Sequence, residues 1–194
     1  MTERETTRTQ PRLRSDAQRN RDDILAAAVL AFTHDANAPL EGIAKAAGVG
    51  IGTLYRHYPT REALVEAAYR SEVKKLCDAA PELLKRYPAD VALARFLGLF
   101  IDDMLTKHGM VEALQAVVAM GGKAGANESR AMIAAAVAPI IEAGRAQGLL
   151  RDDVTVEDFL LTKGAVVLAG PEKGRRLATI LLDGLRYGQD APAG

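Results

Sequence analysis

Between Leu40 and Tyr58, small and apolar residues recur at a spacing that suits two short helices crossing at close range. Leu40, Ile43 and Ala47 fall on one face of a helix, and Val49 and Leu54 supply the facing side of a second. Ala44 is small where the two axes would meet, and a larger side chain there would hold them apart. Gly48 can adopt the left-handed backbone that closes a helix. Pro39 suits the first turn of the leading helix, where its missing N–H would have no partner anyway. Tyr58-Pro59 ends the second helix, because the residue before proline avoids helical backbone. Residues 39–58 therefore read as a helix-turn-helix.

Burying Val49 and Leu54 leaves the other face of the second helix free. That face carries Gly50, Ile51, Thr53, Arg56 and His57, with Tyr55 beside it. A recognition helix places its N-terminal residues at base edges in the major groove. Thr53 can hydrogen-bond a base, and Ile51 or the Thr53 methyl can meet a thymine methyl. Tyr55, His57 and Arg61 are placed for phosphate. Thr60 and Arg61 open the next helix, whose first N–H groups attract phosphate. Gly50, Ile51 and Gly52 offer no side-chain hydrogen bonds. Specificity is thus expected to lean on Thr53, on apolar contacts and on the Arg-rich arm before the first helix.

The rest of the chain reads as helix throughout. Aromatic residues are only 5%, Ala and Leu dominate the apolar set, and no strand-length alternation of β-branched residues occurs. A first helix is expected from about Arg19 to His34, with Ile24, Leu25, Ala28 and Phe32 in one stripe. A fourth, capped by Thr60, carries Leu64, Ala67, Ala68, Val73 and Leu76 to about Ala79. Further helices fall near 82–86, 89–107, 110–120, 127–147, 155–169 and 172–187. The expected fold is all-α, with about nine helices in two parts. A disordered basic arm spans 1–18 and a three-helix DNA-binding head 19–66. A larger helical body spans 67–188, and a tail 189–194.

Lys plus Arg and Asp plus Glu number 25 each, so net charge points to no polyanionic partner. Distribution says more. From Met1 to Arg21 six arginines face three acidic residues, a local charge of +3. Such an arm suits phosphate attraction, or is simply a solvated tail. One thiol, Cys77, cannot close an internal disulfide and fits a reduced cytoplasm. It reads as a half-buried structural thiol or, alternatively, a redox sensor. No apolar core follows Met1, so no signal peptide is expected. The apolar run from Ala131 to Gly144 is interrupted by Pro139 and Glu142 and is too short for a bilayer. The expected location is the cytoplasm, with no membrane partner.

Several constellations argue against catalysis, metals and cofactors. Gly121-Gly122-Lys123 lacks the glycine upstream and the Ser or Thr downstream that a phosphate loop needs, so it reads as a flexible link. His34, His57 and His108 have no metal-ligand spacing. Asp102, Asp103, His108 and Glu112 read as a solvated face. No nucleophile–His–acid order appears. Among the body helices, Phe96, Phe100, Met104, Met110, Leu114 and Val117 form a Met- and Phe-rich set that suits an apolar ligand, or plain core.

Residues 21–66 resemble the DNA-binding domain of the TetR family of bacterial regulators. The resemblance is carried by Arg21-x-x-Ile24-Leu25-x-Ala27-Ala28-x-x-x-Phe32. It continues in Ile43-Ala44-x-x-Ala47-Gly48-Val49-x-x-Gly52-Thr53-Leu54-Tyr55-x-His57-Tyr58 and in Arg61-Glu62-x-Leu64. Two positions differ from the family's usual pattern: Gly50 stands where Ser is common, and Ala38-Pro39 replaces a Ser or Thr cap. The resemblance implies a homodimer on a near-palindromic double-stranded operator, repression, and release by a small-molecule effector held among the body helices. It also implies that helices 155–169 and 172–187 pair across a two-fold axis. Val156, Leu160, Val167, Leu168, Leu177, Ile180, Leu181 and Leu185 would supply the apolar faces. The alternative is a helical homodimeric ligand-binding protein without DNA binding.

Overall fold

A computed structural model of the chain describes residues 9–121 and 124–186. Among these it has ten helices and no strand. They are α1 (Thr9–His34), α2 (Leu40–Ala46), α3 (Ile51–His57), α4 (Arg61–Asp78), α5 (Ala80–Arg86), α6 (Ala89–Thr106), α7 (His108–Ala119), α8 (Ala124–Ala146), α9 (Val156–Ala169) and α10 (Pro171–Arg186). The chain divides into two compact units. One comprises residues 1–69 and 109–122, the other residues 70–108 and 123–194.

The first unit is built on the expected α1 stripe. Ile24, Ala28 and Phe32, four residues apart, are fully buried. Leu40, Ile43 and Ala44 of α2, Leu54 of α3, and Leu64, Val65 and Ala68 of α4 close around them. Gly48, at φ +69°, ends α2. Its N–H donates to the Lys45 carbonyl at 3.1 Å, and the Val49 N–H to the Ala44 carbonyl at 3.0 Å. Those bonds pair carbonyls that the helix end would otherwise leave open.

Two expectations about this unit are corrected. Helix α1 starts ten residues earlier than expected, so residues 9–18 are helical; residues 1–8 of the expected arm lie outside the described residues. No glycine interrupts 9–34, Pro11 sits in the first turn where it breaks no bond, and Gln18 donates to Asp22 at 2.8 Å one turn on. The second correction concerns α7, expected in the body. Its Met110, Ala113 and Val117 are buried in the core of the first unit. Gly109 makes that possible: a Cβ there would stand 2.5 Å from the Phe32 carbonyl oxygen and 3.0 Å from the Asp35 nitrogen. The start of α7 therefore lies directly on the backbone that leaves α1.

The second unit packs α6 and α9 through aromatic rings. Phe96 meets Phe100 edge-on at 5.3 Å and stacks on Phe159 at 5.9 Å. Leu93, Leu97, Ile133, Val137 and Ile140 complete this core. Helix α9 opens on a capping box: the Thr155 hydroxyl accepts from the Asp158 N–H at 3.2 Å, and the Asp158 carboxylate accepts from the Thr155 N–H at 2.8 Å. Glu72 of α4 is buried, and it is neutralised there by Lys75 at 2.6 Å and by Lys107, which also pairs with Asp103. No helix among the described residues is long and apolar enough to cross a membrane.

Candidate nucleic-acid interface

Helix α3 has seven residues and buries one of them fully, Leu54. That single anchor orients everything else. Gly50 caps the helix in extended backbone, its carbonyl accepting from the Thr53 and Leu54 N–H groups at 2.8 and 3.2 Å. Gly50, Ile51, Gly52, Tyr55 and Arg56 are exposed, and Thr53 and His57 are partly so. Tyr58, just past the helix, is buried, with the Arg21 guanidinium 5.9 Å from its ring centre.

The polar groups on this face are organised before any ligand arrives. Arg56 donates through Nε to the Gly52 carbonyl at 3.2 Å and through Nη2 to the Thr53 hydroxyl at 3.0 Å. With its oxygen already accepting, the Thr53 hydroxyl keeps its own proton to donate. Arg56 thus supports Thr53 and keeps its remaining N–H groups for an anion. Tyr55 extends an exposed phenol from the same helix.

Two residues expected at phosphate have internal roles in the structure. Arg61 donates to the Ala38 carbonyl at 2.7 Å and to the Ala36 carbonyl at 2.6 Å, and its guanidinium lies 5.1 Å from the centre of the Phe32 ring. It ties the 35–39 turn through two carbonyls that no helix pairs. Thr60 caps α4 by accepting from the Ala63 N–H at 3.1 Å. Beside it, Glu62 takes a hydrogen bond from its own backbone N–H and another from the Thr60 hydroxyl, which together hold its carboxyl below the ordinary value. A carboxylate at the start of α4 already answers the helix dipole there.

The expected ligand lining is divided between the two units. Phe96 and Phe100 are buried in the second, while Met110, Leu114 and Val117 pack in the core of the first. The Met104 side chain lies outside the described residues. Their helical spacing shows a buried face without showing which core receives it.

The expected pairing faces are partly redistributed. Leu160 is buried within the second unit, whereas Leu168 and Ile180 are 82% and 57% exposed. Leu161, one residue from the expected Leu160, is 61% exposed. Its seven-residue spacing from Leu168 was the available signal. Leu161, Ala165, Leu181 and Leu185 line one surface groove along α9 and α10. Among the described residues, no group of three His, Cys, Asp or Glu is placed to hold a metal ion.

Residues 88–187 match the model of the SbtR-like transcriptional regulator C-terminal domain, and residues 24–68 that of the bacterial regulatory proteins of the tetR family. The chain belongs to the TetR family of transcriptional regulators. A TetR transcriptional regulator of Streptomyces coelicolor is similar at 45% identity, over 86% of this chain and 98% of that one, with a TM-score of 0.65. A TetR regulatory protein of Mycobacterium vanbaalenii is similar at 32% identity, over 90% and 99%, with a TM-score of 0.63. The HTH-type transcriptional repressor LfrR of Mycolicibacterium smegmatis is 40% identical over 97 residues, 48% of this TetR-family chain and about half the length of that repressor.

Proposed function

We propose that this TetR-family chain is a repressor that binds a near-palindromic operator as a homodimer and is released by a small molecule. The observation that carries the reading is the exposed α3 face, on which Arg56 donates to the Thr53 hydroxyl and Tyr55 and His57 stand beside it. One such helix is a weak reader alone, and a two-fold dimer presents two of them to successive major grooves about 34–36 Å apart. The α9 and α10 surface supports that dimer. Leu161, Leu168 and Ile180 expose apolar area that a monomer leaves in water, and Leu181 and Leu185 line the groove beside Leu161. That the relative LfrR is named a repressor favours repression over activation.

A ligand that fits one arrangement of the dimer better than another would shift the spacing of its two α3 helices and so its affinity for DNA. The test is a gel shift on the promoter region beside the protein's own gene, with wild type and Tyr55→Ala. Wild type should give a sequence-specific shift, and the variant none while remaining dimeric. Absence of any specific shift with wild type would favour the second reading, a dimeric ligand-binding protein that does not bind DNA.

A further inference from the structure

Arg21 of α1 is exposed, and among the described residues no carboxylate pairs with it. Its neighbours in sequence are engaged elsewhere. Asp22 accepts from Gln18 at 2.8 Å, Arg19 pairs with Asp16 at 3.7 Å, and Asp23 lines a groove with Ala27, Leu30 and Gly48. The Arg21 guanidinium lies instead 5.9 Å from the centre of the Tyr58 ring. A ring face attracts the cation without neutralising it, and it takes none of the five N–H donors.

Both ends of that contact are fixed inside the first unit. Tyr58 is 4% exposed, and its N–H donates to the Leu54 carbonyl at 2.8 Å, so its ring is held to the end of α3. Ile24, one turn beyond Arg21, is fully buried and seats α1 in the same core. Arg21 therefore stands beside the residue that follows His57, with a charge that no acid on the protein answers. Arg61, the cation whose sequence position pointed to phosphate, is turned inward to the Ala36 and Ala38 carbonyls. Glu62 adds a negative charge close by.

We propose that Arg21 is a phosphate contact on double-stranded DNA, in the place that the sequence had suggested for Arg61. It anchors the backbone from α1 beside the groove that α3 reads. A guanidinium fork matches phosphate oxygens in geometry as well as charge. Such a contact positions the protein on the duplex and carries no sequence information. The inference rests on the reading that the chain binds DNA, and it names a residue outside the helix-turn-helix as part of the same interface.

Fluorescence anisotropy of the full-length protein is measured across a range of salt, on the promoter duplex and on a random-sequence duplex. Wild type is compared with Arg21→Met, Arg21→Lys and Arg145→Met, the last removing an exposed cation of the second unit. Arg21→Met should lower the slope of log affinity against log salt by about one for each arginine removed. It should weaken both duplexes by the same factor, within about twofold. Arg21→Lys and Arg145→Met should keep the wild-type slope. The melting temperature of Arg21→Met should stay within about 2 °C of wild type. An unchanged slope in Arg21→Met overturns the contact, and a lowered melting temperature with it would make Arg21 a cover for the Tyr58 ring. An equal drop in Arg145→Met would trace the effect to net charge and overturn it too, as would a loss confined to the promoter duplex. If wild type binds neither duplex, the DNA-binding reading fails and takes the contact with it; if wild type binds and only the Arg21 effect is missing, the contact alone fails.

Discussion

Arg56 donates to the hydroxyl of Thr53 at 3.0 Å, one turn back along α3. The bond uses the hydroxyl as an acceptor and leaves its own proton to donate. Acceptor edges in the major groove, such as guanine O6 and N7 or thymine O4, are therefore its natural targets.

Thr53→Val keeps the shape and the methyl group but removes that donor. It should weaken binding to the specific operator by about 0.5–1.5 kcal/mol, roughly two- to twelvefold. Affinity for random-sequence DNA at low salt should change by less than about twofold, since that rests on phosphates. Fluorescence anisotropy on both duplexes checks the split. An equal loss on both would show that Thr53 contacts backbone instead.

Arg61 should behave as a stabilising residue. Its two charge-assisted bonds to the Ala36 and Ala38 carbonyls suggest a loss of about 1.5–3 kcal/mol on Arg61→Ala, read by urea unfolding. Lysine cannot reach both carbonyls with one ammonium, so Arg61→Lys should recover only part. The slope of DNA affinity against salt should not change in Arg61→Met, measured at a temperature where the variant stays folded. A slope reduced by about one phosphate's worth would place Arg61 on DNA.

Gly109→Ala sets two effects of opposite sign against each other. Alanine is the better helix former, by about 1 kcal/mol. Its Cβ, however, would stand 2.5 Å from the Phe32 carbonyl oxygen, which is backbone and cannot swing aside. Overpacking of this kind costs about 1–3 kcal/mol, so net destabilisation is expected. Thermal melting of the variant decides the sign.

Glu72 gives a pH dependence. Burial works to raise its pKa, but hydrogen bonds from Lys107 and Lys75, with their charges, carry it below the ordinary value of 4.5. A depressed carboxyl contributes stability that is complete above its unfolded value and is lost as pH falls through the folded one. For Lys107 burial works to lower the pKa, but Asp103 and Glu72 carry it above 10.5, so its contribution is complete below that value and is lost at higher pH. Wild type should therefore exceed Glu72→Gln in stability across neutral pH, with the gap closing below about 4.5. Urea midpoints taken between pH 3 and 8 would show it; a constant gap would rule out the ionised pair as its source.

How legible each feature was in the sequence follows from how local its cause is. The α2–α3 crossing rests on Ala44, Gly48, Leu54 and Tyr58, close neighbours whose steric roles can be read in order. The role of Arg61 depends on carbonyls 23 and 25 residues upstream, so its charge alone pointed to phosphate. The spacing of Met110, Ala113 and Val117 marks a buried face and is silent about a partner core some 80 residues earlier. Leu160 and Leu161 differ by one step of 100°, within the error of any helical phase read from pattern. At α1 the polar, Arg-rich composition suggested disorder, whereas the missing breaker and the Gln18–Asp22 bond favour helix.

The first unit is assembled from residues 1–69 and 109–122. During synthesis, Ile24, Phe32 and Leu54 emerge well before Val117 does, an interval of several seconds at about 5–20 residues per second. In that interval the nascent chain carries an unfinished apolar surface, with α5 and α6 made while it waits. A protease or a chaperone would meet that surface first. A fragment ending at residue 69 would stay permanently in that state, so the DNA-reading half of this regulator cannot be cut free as a simple N-terminal piece.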